Sequence, residues 1–407
     1  MQTVLLLLLF IAPTIQFRTR ISLLNLAFME PVVLVVSAVM ILHQLYTKRV
    51  LTLPRNKFIL LFSILLVWIF ALGVLSPDIK KGINDIRAWF IPVLGFVALL
   101  TVKEGWVRWI KIYALSVVAN SLLGILQYWT NSFRFFVPVE FSYQESRVAV
   151  AMVEGKATLV QLPFAAGLFG HANGYAMYLL GGLMIMLGYA LMTKALWARV
   201  MTVLTGLALI LSFSKTSIIM MAVLLAAFAV SCQSRRRKIR IFIYLSFFAV
   251  IGLAAAVFFV KYLPPEIFTT LQWRIGLWRI AFEVIGKYPL ILMAGNGMEL
   301  FGDIAYYWQP HNLYIFFLLQ YGLPGLLLLL AILLNMVRSG LNVVSKYTSD
   351  DEKFLIIGVW LSILVCFLAG MLESSLLSIE YRMTFLTHIA MFFGLVGEVK
   401  RKSVLPV

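Results

Sequence analysis

His311 and Asn312 carry the side chains best suited to acid–base chemistry in this sequence. They follow Pro310 and directly precede a long apolar run that begins at Leu313. Histidine exchanges a proton near neutral pH, and an ionisable group at the end of an apolar span is costly to bury, which makes it a functional candidate. We therefore predict that His311 is a catalytic base and that Asn312 supports it. The alternative is an interfacial histidine bonded to a backbone carbonyl.

Two arginines precede this pair in a stretch with helical periodicity. Arg274 and Arg279 are five residues apart, so on a helix their directions diverge by about 140°. Arg279 has Glu283 one turn ahead, a spacing that favours a surface ion pair. Both arginines are candidate ligands of a diphosphate, and because they cannot both point at one small group, we favour Arg274. The alternative for each is an arginine that extends to the membrane interface.

The same stretch predicts an amphipathic helix that begins near Arg274. One apolar stripe is formed by residues at helical spacing, Ile275, Trp278, Phe282 and Ile285. Such a helix would lie in the membrane interface or cap a bundle. The glycine-containing segment 295–297 follows it. We interpret that segment as a tight turn, since the strand and glycine spacing of a dinucleotide fingerprint are missing.

Polar residues interrupt the apolar pattern at two other places. Lys215 lies in a break between two spans, at 212–217, where either an anionic ligand or an acidic neighbour would satisfy a lone cation. We count Lys215 among the candidate diphosphate ligands. His171 and Asn173 lie on a glycine-rich approach to another span, and we predict that they are supporting residues of the same site.

The composition decides the structural class. Hydrophobic residues make up 62% of the 407 residues and charged residues 13%, against about 45–50% and about 25% in soluble domains. Several apolar stretches reach the roughly 20 residues that a helix needs to cross a bilayer. Their continuous apolar pattern does not fit the alternation of transmembrane β-strands. The sequence therefore predicts an all-α, polytopic membrane protein, and its two cysteines give no metal-binding or disulfide pattern.

We predict 12 transmembrane helices in a single membrane domain, 1–407. The predicted spans are 2–17, 23–45, 58–75, 86–102, 107–128, 174–192, 197–212, 216–233, 239–260, 313–337, 354–372 and 383–398. The longest connections between them are 129–173 and 261–312, and the second contains the amphipathic helix. Connections held by a rigid scaffold are where functional residues concentrate.

The net charge of +17 is explained by basic cytoplasmic loops of a membrane protein rather than by nucleic-acid binding. The basic run 235–240 lies between two apolar spans, and loops rich in Lys and Arg stay in the cytoplasm. This predicts that both termini are cytoplasmic and that segments 129–173 and 261–312 are outside. It leaves no reason to expect a nucleic-acid partner.

Taken together, these features resemble the O-antigen ligase and O-antigen polymerase family of bacterial envelope glycosyltransferases. The resemblance rests on His311-Asn312, nine intervening residues, Gly322, two more residues and Gly325. The large outer loop, the approach at 169–173 and the polar break at Lys215 add to it. Members of the family often have arginine where Lys215 stands, and lysine cannot form the bidentate fork with phosphate.

The resemblance implies a transferase without cofactor or metal, acting on the periplasmic face of the bacterial inner membrane. Its donor would be a glycan linked to a polyprenyl (undecaprenyl) diphosphate, and its acceptor a glycolipid or glycan within the surrounding membrane lipids. His311 would be the base, and Arg274, Arg279 and Lys215 would face the diphosphate. The chemistry agrees, because a diphosphate leaving group needs one base and nearby positive charge.

The motif favours ligation to lipid A-core in lipopolysaccharide synthesis, and polymerisation of lipid-linked repeat units is the alternative. A transporter or flippase for lipid-linked glycan is a further alternative. Such proteins are often built on internal repeats with charges near the bilayer midplane, a pattern that this sequence does not show. A cell-wall polymerase of the shape-and-division family would use an outer-loop aspartate, for which Asp303 is the candidate.

Overall fold

A computed structural model describes residues 2–14, 18–21, 24–27, 30–48, 56–76, 78–130, 147–153, 156–162, 165–169, 172–232, 266–305, 309–346, 351–373, 376 and 379–404. In chain order the elements are α1 (Gln2–Ile11), a 3-10 turn (Ala12–Thr14), β1 (Arg18–Ile21), β2 (Leu24–Ala27), α2 (Glu30–Lys48), α3 (Lys57–Val74), α4 (Ile79–Leu100), α5 (Trp106–Thr130), β3 (Arg147–Val153), β4 (Lys156–Leu162), α6 (Ala172–Thr193), α7 (Leu196–Leu211), α8 (Lys215–Cys232), α9 (Glu266–Lys287), α10 (Ile291–Ala294), α11 (Met298–Ala305), α12 (Leu313–Lys346), α13 (Glu352–Ala369) and α14 (Ile379–Val404).

The predicted class, an all-α polytopic membrane protein, is confirmed. Within the described ranges, nine helices are long and apolar enough to cross a membrane, namely α2, α3, α4, α5, α6, α8, α12, α13 and α14. In addition there are two antiparallel hairpins, β1–β2 and β3–β4, which our sequence analysis did not anticipate.

The described residues supply nine of the 12 predicted spans. Two of the remaining three correspond to helices that are short, and the third lies outside the described residues. The predicted span 2–17 contains α1, whose 10 residues cover about 15 Å, half of the roughly 30 Å of a bilayer core. The predicted span 197–212 corresponds to α7, whose 16 residues cover about 24 Å. The predicted span 239–260 lies outside the residues that the structure describes.

Two hairpins lie in ranges where no strand was predicted, and one of them shifts a predicted boundary. The span predicted at 23–45 begins only at Glu30, after the β1–β2 hairpin. The segment 129–173 contains the β3–β4 hairpin, in register from Arg147 opposite Leu162 to Val153 opposite Lys156. The two residues between these strands include a glycine, which is typical of a hairpin connection.

The centre of the bundle is formed by α6 and α13, which make the most extensive helix pair in the structure. A Cβ atom added at Gly358 would collide with the backbone of Met184, and one added at Gly188 would collide with the backbone of Phe354. Helices in lipid gain their association energy from such close backbone packing, because lipid provides no hydrophobic drive between them. This close pair is therefore a central element of the helix bundle.

The α12 helix is broken at Gly322, whose φ of 67° and ψ of −174° are not helical. Pro324 lacks an N–H, so the carbonyl of Gln320 has no helical donor four residues ahead. The amide of Asn296 supplies one at 3.1 Å, and the amide of Gly297 donates to the Leu319 carbonyl at 2.8 Å. The predicted turn at 295–297 therefore caps the broken helix.

Two glycines allow this contact. A Cβ atom added at Gly295 (φ 68°) would collide with the Gln320 carbonyl, and one added at Gly322 (φ 67°) would make a tight contact with the carbonyl of Leu292. Positive φ at these values favours glycine because a Cβ atom would meet the backbone. Gly322, the first glycine of the sequence motif, thus has a structural role. It bends α12 at a position 11 residues after His311.

The predicted amphipathic helix is present, and the residues of its predicted apolar stripe divide between two environments. The helix begins at Glu266 rather than near Arg274; Ile275 and Phe282 are exposed, whereas Ile285 is buried and Trp278 packs against the same cluster. The buried face consists of Arg274, Leu277, Ala281, Val284 and Ile285. Helical periodicity finds an amphipathic helix, but α9 has apolar residues on two sides, and tertiary packing selects one of them.

We predict that Gly322→Ala destabilises the protein by about 1–3 kcal/mol, because alanine is strained at positive φ and its methyl group would meet the 292–295 backbone. Thermal unfolding in detergent measures this. Gly286→Ala is the matched control, since no atom lies within 4 Å of the added Cβ, and it should be neutral or slightly stabilising. Equal midpoints for the two variants would contradict the structural role of Gly322.

Candidate functional site

The carboxylate of Glu373 lies just after α13 and joins side chains from three other segments. Its Oε1 accepts from Arg274 Nη2 at 2.6 Å and from Asn173 Nδ2 at 3.1 Å. Its Oε2 lies 3.0 Å from His311 Nδ1. The Glu373 side chain is 10% exposed. A buried carboxylate is stable only when it is paired and hydrogen-bonded, and here both oxygens are engaged.

His311 is held at this position by the backbone on both sides. The indole Nε1 of Trp278 donates to the Pro310 carbonyl at 2.8 Å. Asn312 caps α12, because its Oδ1 accepts from the amides of Tyr314 at 2.9 Å and Ile315 at 3.0 Å. The Asn312 Nδ2 donates to the carbonyl of Met371 at 2.9 Å. Asn312 thus fixes the start of α12 against the end of α13.

His311 itself adopts a left-handed backbone conformation, with φ at 48°. A residue other than glycine occupies this region at a cost of about 1 kcal/mol or more, and such residues concentrate at functional sites. Its ring lies against the indole of Trp273, with 5.3 Å between ring centroids. The strained backbone and the ring contact together aim the imidazole at Glu373.

The partner of Nδ1 determines the protonation pattern of His311. An ionised carboxylate only accepts hydrogen bonds, so Nδ1 is the nitrogen that carries the proton in the contact with Glu373. In the neutral imidazole the lone pair then resides on Nε2. A histidine oriented by a carboxylate in this way accepts a proton at Nε2, and the carboxylate stabilises the imidazolium that results.

The ionised state of Glu373 follows from its neighbours. Burial raises the pKa of the Glu373 carboxyl and is the largest single influence. The hydrogen bond from His311 and the charge of Arg274 oppose it, and together they bring the pKa below its ordinary value. Glu373 is therefore a carboxylate at neutral pH.

Arg274 and Arg279 lie on different sides of α9. The Arg274 side chain is 10% exposed, and besides Glu373 it donates through Nη1 to the Leu372 carbonyl at 2.6 Å. The Arg279 side chain is 83% exposed and its Nε pairs with Glu283 Oε1 at 3.2 Å, the pair that the spacing predicts. Arg274 is thus part of the Glu373 cluster, and Arg279 is outside it.

The segment before α6 places Asn173 in the cluster. Two buried amides of α5 hold this segment: Asn120 Oδ1 accepts from Leu168 N at 2.9 Å, and Gln127 Oε1 accepts from Gly167 N at 2.7 Å. Gln127 Nε2 returns a bond to the Gly167 carbonyl at 2.8 Å. The predicted supporting residue His171 lies outside the described residues.

Lys215 starts α8 at the same end of the bundle, and its side chain is exposed. Phe213 precedes it in a left-handed conformation (φ 52°) and packs against Ala166 and Ala172. These contacts connect the Lys215 turn to the segment that holds Asn173. In the part of the chain that the structure describes, Lys215 forms no ion pair.

Glu373 is a candidate site residue that was not predicted from the sequence. It follows an apolar span, as His311 precedes one, and a lone acid at a span end is a signal of the same kind. The two are 62 residues apart, so spacing does not connect them. Among the described residues, no group of three or more His, Cys, Asp or Glu side chains could hold a metal ion.

Comparison with known families agrees with this geometry. Residues 200–330 match the model of a family described as O-Antigen ligase, which confirms the resemblance predicted from the motif. His311, Arg274, Arg279 and Lys215 lie inside the matched range, and Asn173 and Glu373 lie outside it. No curated protein matches the chain. The match supports a membrane enzyme of the glycosyltransferase type.

We predict that Arg274→Met lowers the free energy of unfolding by about 3–5 kcal/mol, because it leaves the buried Glu373 carboxylate without its cation. Arg279→Met is the matched control on the same helix, and an exposed pair contributes about 0–1 kcal/mol. Chemical or thermal unfolding in detergent measures both variants. The double variant Arg274→Met/Glu373→Gln should regain part of the lost free energy of unfolding. Losses of equal size in Arg274→Met and Arg279→Met would contradict the assignment.

Proposed function

We propose that the protein is a membrane glycosyltransferase that moves a glycan from a polyprenyl diphosphate to an acceptor on the outer face of the bacterial inner membrane. The observation that carries the proposal is the contact between Glu373 and His311, and His311 lies at the start of α12, inside the range that matches the O-Antigen ligase family. Ligation of O-antigen to lipid A-core is the specific reaction that the motif and the family favour.

His311 acts as the catalytic base. Its Nε2 takes the proton from an acceptor hydroxyl, and the hydroxyl oxygen attacks the anomeric carbon of the donor sugar. The bond from that carbon to the diphosphate oxygen breaks, and the diphosphate leaves with the bonding electrons. Glu373 is a positioning residue, since it fixes the Nδ1–H tautomer and stabilises the imidazolium as it forms.

The cations around the site suit a departing diphosphate. Arg274 offsets the charge of Glu373, which would otherwise repel the leaving group. The Arg274 guanidinium and the His311 imidazole contact the same carboxylate. Lys215 is exposed at the same end of the bundle and Arg279 is exposed on α9. Positive charge placed where negative charge develops lowers the barrier, and a diphosphate leaving group needs no general acid or metal.

The charge distribution supports an outer location of this site. The helices α6, α12 and α14 begin at the Glu373 end of the bundle, and α13 ends there. Their other ends carry basic residues, among them Lys194, Lys346, Lys353 and Arg401. Because basic loops stay in the cytoplasm, the Glu373 end is assigned to the periplasm.

We predict that His311→Ala lowers the rate of glycan transfer at least about 100-fold, since general-base catalysis contributes about 10²–10⁴. The assay uses purified protein, lipid-linked glycan and acceptor, with the product resolved on a gel. His43→Ala is the matched control, because His43 is exposed in α2, away from the cluster. A wild-type transfer rate in folded His311→Ala protein would overturn the proposal.

Deletion of the gene distinguishes the two transfer reactions. If the protein is a ligase, polymer accumulates on the lipid carrier and none is attached to lipid A-core. If it is a polymerase, single repeat units are attached to the core instead. Lipid-linked glycan that crosses vesicle membranes without any transfer product would identify a flippase and reject both.

A further inference from the structure

A cavity of about 400 Å³ lies at the opposite end of the bundle from Glu373. We call it the inner-face cavity; it is lined by the ends of α2, α4, α5 and α14, through Gln44, Leu100, Lys103, Trp106, Gly397 and Arg401. The α14 helix begins at Ile379, close to Glu373, and reaches Gly397 some 18 residues later, or about 27 Å along its axis. The cavity and the candidate active site therefore lie near opposite faces of the membrane.

The mouth of the inner-face cavity is basic. Lys103 and Arg401 are exposed, and the guanidinium of Arg401 donates to the Lys103 carbonyl, which holds the two cations together. Two acids lie nearby. Glu398 accepts from the Trp106 amide at 2.8 Å, so one of its oxygens is engaged, and Glu104 is exposed next to Lys103 in the loop.

Gln44 gives the cavity a polar wall group. Its residue surface is 9% exposed, and it lines the cavity. Its side-chain amide is not among the buried polar groups of the described residues that lack a partner, so it is accessible from the cavity. An amide N–H there can donate to the oxygens of a ligand.

The deeper wall of the inner-face cavity is apolar and open. Leu100, Trp106 and Phe393 line it. No atom lies within 4 Å of a Cβ atom built at Gly397, so this glycine borders empty space. Glycine inside a helix is less favourable than alanine, and here it leaves room beside the helix. The space can accept an apolar chain.

We propose that the inner-face cavity binds an anionic phospholipid. The phosphate lies between Lys103 and Arg401, the headgroup oxygens reach the Gln44 amide, and an acyl chain runs along Phe393 past Gly397. Basic pockets between spans on the cytoplasmic side are suited to anionic headgroups, and the combination of two cations, one amide in the cavity wall and an apolar wall favours a phospholipid over a free anion.

The test measures lipid binding to delipidated, detergent-purified protein by native mass spectrometry and by the shift of its thermal midpoint. Wild-type protein should bind phosphatidylglycerol at least tenfold more tightly than phosphatidylcholine. Gly397→Leu should weaken phosphatidylglycerol binding at least tenfold, because its side chain fills the cavity. Gly286→Leu is the matched control, as it also adds leucine at a helical glycine with open surroundings, and it should bind like wild type.

A second variant tests the charge directly and does not depend on how Gly397→Leu folds. Lys103→Gln/Arg401→Gln changes only exposed side chains and should abolish the preference for phosphatidylglycerol while phosphatidylcholine binding is kept. Equal wild-type binding of the two lipids would overturn the proposal. So would wild-type lipid binding by a folded Gly397→Leu variant, or an equal midpoint shift with inorganic phosphate alone.

Discussion

The buried carboxylate of Glu373 is the group on which the arrangement of this end of the bundle depends. It accepts bonds from Arg274 on α9, Asn173 on α6 and His311 before α12. An uncompensated carboxylate in a dry site is far less stable than one with a cation and hydrogen-bond donors. These three segments therefore meet at Glu373. Their contacts with its carboxylate fix the position of the His311 imidazole, its tautomer and the position of the Arg274 guanidinium.

The α12 helix links this cluster to the rest of the bundle through its break at Gly322. Trp68 Nε1 donates to the carbonyl of Tyr321 at 2.8 Å, and the Tyr321 hydroxyl donates to Asp85 Oδ1 at 2.9 Å. Asp85 in turn lies 3.6 Å from Arg382 Nη2. The backbone groups released by the break and the adjacent tyrosine thus bind α3, α4 and α14 to the short helical segment that starts beside His311. The motif glycine Gly322 thus helps to hold the segment that begins beside His311 against the rest of the bundle.

The two faces of the bundle differ in the way their cations are used. On the outer face, Arg274 is buried and committed to a carboxylate. On the inner face, Lys103 and Arg401 are exposed beside an apolar cavity. Buried charge requires a fixed protein partner, whereas exposed charge at a membrane surface interacts with the phosphates of lipids. The same residue types therefore order a site at one end and suit lipid binding at the other.

The amino-acid sequence was enough to predict the class of the protein and most span positions and to single out His311 as a candidate, because apolar runs of membrane length and an ionisable group at a span end are local signals. It also separated the directions of Arg274 and Arg279, since helical geometry is local. It predicted an apolar stripe on α9 of which Ile285 is buried and Ile275 and Phe282 are exposed, and it did not predict the hairpins at 18–27 and 147–162.

Only the tertiary structure decided that Glu373 is the partner of His311. The two residues are 62 positions apart, and no local pattern joins the end of one span to the start of another. It likewise decided which face of α9 is buried, because both faces carry apolar residues and the choice depends on what α11 and α12 present to it. Local periodicity determines whether a segment can form an amphipathic helix. The packing of distant segments around a buried charge determines which face of that helix is buried.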